Sequence, residues 1–155
     1  MTAPAGTRGE PVTLEPLGKA NRQAVLALEL LPKQQGFVAS NAESLAEARH
    51  DHEAIARAIV VGGRVVGFLM YSAPNGDDEA IIYRFMIDRR EQGKGLGHAA
   101  VAKALEEIAL LSRIRRVSIC YEPENEAARR LYASFGFVEK GLDEDDEMIA
   151  VLELG

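Results

Sequence analysis

Residues 84–100 read RFMIDRREQGKGLGHAA, and this stretch leaves the chain few ways to fold locally. An apolar run (Ile81, Ile82, Tyr83, Phe85, Met86, Ile87) leads into Gln92-Gly93-Lys94-Gly95-Leu96-Gly97, and an amphipathic stretch follows at once. The order predicts a strand, a tight turn and a helix. Three glycines in five residues let the backbone turn sharply and come close to a ligand. The new helix directs unpaired N–H groups and the positive end of its dipole at the same place. Such a turn suits a phosphate or pyrophosphate.

Two familiar phosphate loops do not fit. A nucleotide P-loop needs Lys and Ser/Thr after its last glycine, whereas here Lys94 lies between glycines and His98 follows them. A dinucleotide fingerprint started at Gly93 and Gly95 needs a third glycine where His98 stands. The pattern present is Gln/Arg-x-x-Gly-x-Gly, at Gln92, Gly95 and Gly97. A second block, NEAARRLYASFGF at 125–137, reads Asn-x-x-Ala-x-x-Leu-Tyr-x-x-x-Gly-Phe through Asn125, Ala128, Leu131, Tyr132, Gly136 and Phe137. Together and in this order the blocks resemble the acyl-CoA-binding motifs of the GNAT superfamily of N-acyltransferases. The resemblance implies an α+β fold: a central mixed, mostly antiparallel sheet flanked by helices, with its central strands splayed apart.

The rest of the chain is consistent with that frame. A length of 155 residues argues one domain with a real core, over 11–155, after a short disordered lead at 1–10. No apolar run reaches the roughly 18 residues of a membrane span. The lead has no apolar signal region. The single cysteine, Cys120, cannot form an internal disulfide, so the cytoplasm is the expected compartment. It sits in the alternating run Val117, Ile119, Tyr121 and reads as a packed thiol. A net charge of −6 argues against nucleic acid as a partner and is compatible with cationic small molecules.

Period and punctuation predict the elements. Val12–Leu17 reads as a strand, and Ala20–Leu31 as a helix stopped by Pro32. A second helix begins near Ser40-Asn41 and runs to about His50. Ile55–Val61 and Val65–Tyr71 form a hairpin about Gly62-Gly63. Ala80–Asp88 is a strand apolar enough for the middle of a sheet. A helix from Leu96 carries Val101, Ala104, Leu105, Ile108 and Leu111 at helical spacing. Arg116–Tyr121 is a strand. The last helix presents Ala128, Leu131, Tyr132 and Phe135 and stops at Gly136. Phe137–Gly141 and Met148–Leu152 close the sheet.

The resemblance assigns chemistry residue by residue. Acetyl-CoA is the implied acyl donor. Backbone N–H groups of Gly93, Lys94, Gly95, Leu96 and Gly97 would hold its pyrophosphate, with Gln92 bracing the loop. Lys94, Arg89 and Arg90 would add positive charge, and His98 lies in the first helical turn beside them. Backbone groups of Met86 and Ile87 would pair with the pantetheine arm and polarise the thioester oxygen, the logic of an oxyanion hole. Asn125 and Ala128 match positions that contact the cofactor, although Asn125 also reads as a plain N-cap. Tyr132 matches the general acid that protonates the departing thiolate. Periodicity alone would make Tyr132 a core residue.

The acceptor is less legible. Within the superfamily the chain looks most like bacterial spermine/spermidine acetyltransferases, through Arg84-Phe85-x-Ile87-Asp88, Gln34-x-x-Phe37-Val38 and Ser44-Leu45. It departs from them at Tyr83, where polyamine-acetylating relatives often carry a carboxylate. No general base stands out. Glu29, Glu43 and Tyr83 are the candidates on the acceptor side. The acidic segments Asp77-Asp78-Glu79 and Asp143–Glu147 could steer a polycation or be solvated loops. His50-Asp51-His52 lacks further ligands, so no metal is expected. The reading is thus an N-acetyltransferase of a small cationic amine, possessing no membrane or nucleic-acid partner and compatible with a homodimer. An amino acid, an aminoglycoside or a protein N-terminus as acceptor, and a non-catalytic acyl-CoA sensor, stay open.

Overall fold

The computed structural model describes residues 11–28, 54–74 and 76–154. The expected lead, the second helix near 40–50, Glu29, Glu43 and His50-Asp51-His52 lie outside the described residues. Seven strands are present among the described residues: β1 (Val12–Pro16), β2 (Ala54–Val61), β3 (Arg64–Ser72), β4 (Glu79–Ile87), β5 (Arg116–Tyr121), β6 (Val138–Leu142) and β7 (Met148–Glu153). They form one sheet in the order β1-β2-β3-β4-β5-β7-β6. Every neighbouring pair is antiparallel except β4 and β5. That parallel pair requires a crossover, which helix α2 (Leu96–Ala109) supplies. Helix α1 (Lys19–Leu26) lies between β1 and β2 in sequence, and α3 (Glu126–Ala133) between β5 and β6.

Helices cover the sheet on both faces, giving two apolar clusters. One gathers Leu96, Ala100, Val101, Ala104 and Ile108 of α2 with Val61, Tyr71, Ile82, Ile119, Tyr132 and Phe137. The other packs Val25 of α1 on Phe68, Met70 and Met86. Strand alternation sends neighbouring side chains of β4 to opposite clusters: Phe85 and Ile87 to the first, Met86 to the second. This makes β4 apolar on both faces, as a strand in the middle of a sheet must be.

Helix α1 is shorter than the apolar stripe predicts. It closes at Leu26, where Ala27 donates to both Gln23 and Ala24 and Leu28 donates to Val25; Glu29–Leu31 lie outside the described residues. Apolar spacing reports which face is buried, and it is blind to where the last turn tightens to three-residue bonding.

The centre of the sheet opens. Met70 faces Arg84 and Tyr71 faces Ile82, so Tyr83 is an extra residue on β4. A bulge of this kind bends the strand that carries it. Pairing of β4 with β5 runs from Glu79/Arg116 to Ile82/Ile119 and stops at the residue before the bulge. β5 continues to Tyr121 with β7 on its other side. Beyond Ile82 the two central strands therefore part.

Candidate active site

The wedge between the strands becomes a cleft of about 650 Å³. Its walls come from β4, the glycine turn, the start of α2, the end of β5 and one face of α3. Such a volume suits a cofactor-sized ligand.

The glycine-turn end of the cleft begins at Asp88, which is 1% exposed. Its backbone N–H donates to Val66 at 2.7 Å, tying the end of β4 to β3. Its carboxylate accepts from the N–H of Arg90 at 3.2 Å and from Arg90 Nε at 2.9 Å, which caps a short 3-10 turn at Arg89–Glu91. Gln92 Nε2 donates to the Ile87 carbonyl at 2.9 Å, so the loop is pinned to the strand it leaves. Gly93 and Gly95 hold φ of +80° and +79°. A side chain at either position would be strained, and Gly95 is the N-cap from which α2 starts. The first-turn N–H groups of α2 have no partner within the helix. Groups so placed suit an anion.

Ladder geometry decides which strand atoms face the cleft. Because Asp88 bonds back to Val66, alternation turns the amide and carbonyl of Met86 toward β3 and those of Phe85 and Ile87 toward the gap. Met86 was expected to turn its backbone to the gap with Ile87; in this register Phe85 and Ile87 do so instead. Met86 still lines the cleft, as do Gln92, Gly93, Gly95, Leu96 and Gly97.

The opposite wall is α3. Asn125 caps it, its Oδ1 accepting from the N–H of Ala128 at 3.1 Å, and both residues line the cleft. Tyr132, also lining, is 4% exposed. Its ring stacks on Tyr121 with centroids 5.6 Å apart and meets Phe137 edge-on at 5.7 Å. Its hydroxyl has no hydrogen-bond partner among the described residues. Burial, reinforced by Tyr121, pushes its pKa well above that of an ordinary phenol. Tyr132 therefore stays protonated and has a proton to give. Tyr121 is raised to about 12, by burial and by its 2.8 Å hydrogen bond to Glu139.

The far end of the cleft is acidic. Glu122 and Glu147 line it, together with Cys120, Tyr83 and Arg84. Burial and then Asp143 raise the carboxyl of Glu147 above the usual range. Cys120 does not pack in the core as expected. Val117, Ile119 and Tyr121 point to one face of β5 and are buried, whereas Cys120 points to the other and is half-buried at the cleft wall. Burial, and the carboxylates of Asp143 and Glu147, push its thiol up to about 11, so it is a neutral thiol. Cys120, Asp143 and Glu147 bring their ligand atoms within 4.8 Å of one another.

Other expected site residues stand elsewhere. Lys94 lies outside the cleft lining, and its Nζ pairs with Glu91 at 3.0 Å, a carboxylate that Arg64 also holds. Arg90 is engaged by Asp88. His98 is also outside the lining and stacks on Phe135 at 4.3 Å, joining the start of α2 to the turn after α3. Tyr83 does line the cleft, with the Arg84 guanidinium 5.3 Å from its ring centroid. Asp78 is bound by Arg116 at 3.0 Å at the opposite end of β4, away from the cleft. Glu122 was not singled out from the sequence, and Asp88 and Glu147 entered only as the last residues of the Arg84–Asp88 motif and of the acidic segment Asp143–Glu147. For Asp88 the signal was a lone carboxylate closing an apolar strand just before a glycine turn. For Glu147 it was its place immediately before β7.

Comparison with known proteins agrees with this geometry. The sequence profile of the acetyltransferase (GNAT) family matches residues 23–137. The spermine/spermidine N(1)-acetyltransferase of Bacillus subtilis (strain 168) is 33% identical over 141 residues, which are 86% of this chain and 93% of that protein. The ribosomal-protein-S18-alanine N-acetyltransferase of Escherichia coli superposes with a TM-score of 0.73 at 20% identity, covering 93% of this chain and 94% of its own. AAC(6')-Ib in complex with paromomycin and acetyl-CoA gives 0.77 at 16% identity, with 93% and 94% covered. Those two structures, at their low identity, speak for the fold alone. The splayed sheet, the glycine turn and the profile match over most of the chain converge: this protein belongs to the acetyltransferase (GNAT) family and is an N-acetyltransferase.

Proposed function

We propose that the protein transfers an acetyl group from acetyl-CoA to a primary amine of a small cationic acceptor, a polyamine being the best match. The observation that carries the reading is Tyr132: a buried, protonated hydroxyl without a hydrogen-bond partner among the described residues, opening onto a cleft that ends in an anion-binding turn. Bound acetyl-CoA supplies an activated acyl group as a thioester. The first-turn N–H groups of α2 and the backbone of Gly93–Gly97 receive the pyrophosphate. The cleft-facing N–H groups of Phe85 and Ile87 meet the pantetheine arm and stabilise the charge that develops on the thioester oxygen. Gln92 keeps the strand end and the turn in one rigid unit, and Asn125 lies against the arm from the other wall. Tyr132 donates its proton to the sulfur as it leaves, which avoids release of a bare thiolate.

The polyamine follows from the named activity of the Bacillus subtilis relative and from the acidic far end of the cleft at Glu122 and Glu147. The cytoplasm as compartment and a homodimer as assembly belong to the same reading. A thiol-release assay with acetyl-CoA and a panel of amines tests it. Spermidine, spermine or putrescine is expected to be the best acceptor. A monoamine or amino acid as the sole active class would replace the polyamine, and binding of acetyl-CoA without turnover on any amine would remove the catalytic reading of Tyr132.

A further inference from the structure

A proton has to leave the acceptor before its nitrogen can attack. An alkylammonium has a pKa of about 10.4, so at neutral pH the cost of deprotonation is about 4–5 kcal/mol unless a group in the site takes the proton. Among the described residues, one carboxylate is placed for this. Glu147 is the last residue of the turn between β6 and β7. The turn is clamped: Asp143 N–H donates to the Glu147 carbonyl at 2.8 Å, and the Asp143 carboxylate accepts from the N–H groups of Asp145 and Glu147 at 2.8 and 3.0 Å. The next residue, Met148, pairs with Tyr121 at the end of β5. This register delivers Glu147 to the point where β4 and β5 have parted.

The side chain of Glu147 is uncommitted, with no hydrogen bond or ion pair among the described residues. The groups that act on it come from every side: the Cys120 thiol of β5, Glu122 just beyond β5, Asp143 and Asp145 of its own turn, and the Arg84 guanidinium of β4. Three of these are carboxylates, so the pocket is set to receive a cation rather than to repel one. Independently, the partnerless hydroxyl of Tyr132 opens onto the same cleft and awaits a ligand atom.

We propose that Glu147 is the general base of this N-acetyltransferase, accepting a proton from the acceptor's ammonium, with Glu122 holding further positive charge of a polyamine. The assignment rests on the acetyl-transfer reading above. The steps balance. The Glu147 carboxylate takes one proton from R–NH3+, leaving R–NH2. The nitrogen lone pair forms the C–N bond, the C–S bond breaks, and its electron pair leaves on sulfur. Tyr132 protonates that sulfur. The second proton lost by nitrogen restores Tyr132, and Glu147 returns its proton to solvent.

The test compares the wild type with Glu147→Gln on two nucleophiles, spermidine and hydroxylamine, the second being largely unprotonated at neutral pH. With spermidine, kcat/KM is expected to fall about 10²-fold or more, the usual scale for a lost base. With hydroxylamine the fall should be only a few-fold. The thermal shift produced by acetyl-CoA should be unchanged, and the acid limb of the wild-type pH profile should disappear in the variant. Equal losses on both nucleophiles, or spermidine turnover within a few-fold of wild type, would overturn the base while leaving the acetyltransferase intact. A wild type inactive on both would overturn base and reaction together. Should Glu147→Gln fold poorly, Glu147→Ala supplies the same comparison, and an acid limb in the wild type no higher than an ordinary carboxylate would count against the assignment.

Discussion

Tyr132 packs as a core residue while carrying the hydroxyl on which the proposed proton transfer depends. Its ring completes an aromatic stack with Tyr121 and Phe137, so on an apolar helical stripe it is indistinguishable from packing. What sets it apart is the hydroxyl, which is buried at the cleft and has no hydrogen-bond partner among the described residues. Tyr132→Phe should therefore leave the melting temperature near wild type, because the ring remains and no hydrogen bond is orphaned. It should leave affinity for CoA within a few-fold and lower kcat by about 10²-fold or more. Steady-state kinetics beside a thermal melt would check both. An unchanged kcat with chemistry rate-limiting would assign the proton to another donor.

At the scale of elements, the site is a junction of a strand end and a helix start. Asp88 and Gln92 hold that junction by binding backbone and side-chain donors on the one hand and the Ile87 carbonyl on the other. The two glycines with positive φ let the turn adopt its shape. Nothing lies within 4 Å of where a side chain at Gly95 would begin, so the penalty of Gly95→Ala is conformational and not steric, on the order of 1–2 kcal/mol. Gly97 differs. A Cβ there would sit in ordinary contact with Phe85, Ile87 and Leu131 at 3.7–3.9 Å, so Gly97→Ala is tolerable by space. Gly97→Glu instead brings negative charge to the turn proposed to hold the pyrophosphate. The thermal stabilisation produced by CoA, a consequence of binding the folded state alone, should be weakened by Gly95→Ala and abolished by Gly97→Glu. Shifts equal to wild type in both variants would displace the pyrophosphate from this turn.

At the scale of the molecule, charge and shape act together. The chain carries a net charge of −6, and Glu122 and Glu147 line the cleft where the central strands diverge. If these attract a polycation, kcat/KM for spermidine should decrease as salt is added, since the Debye length shrinks from about 30 Å at 0.01 M to about 10 Å at 0.1 M. Glu122→Gln should flatten that dependence. Neutralising Asp77, Asp78 and Glu79 should not, because Asp78 is occupied by Arg116 at the other end of β4. The opposite pattern would move the acceptor's entrance to that end.

The strands from β2 to β7, the crossover helix and the glycine turn were legible in the sequence to within a residue or two, because period, turn chemistry and positive-φ glycines are local properties. The two motif blocks pointed to Tyr132 and to the glycine turn for a related reason: each lies within one short stretch, and both line the cleft. What the chain does between those stretches depended on the tertiary structure. The bulge at Tyr83 is a fact about two strands in register, and no local pattern on β4 announces it. It is the bulge that ends β4–β5 pairing, turns the Phe85 rather than the Met86 backbone to the gap, and makes room for a ligand. Likewise, Asp143–Glu147 reads as an acidic loop wherever it is placed. Only the pairing of Met148 with Tyr121 brings Glu147 to the cleft and removes enough water from it to change its chemistry. Burial and proximity across strands are properties of the assembled sheet, so the sequence named the family while the fold chose the residues that line the cleft.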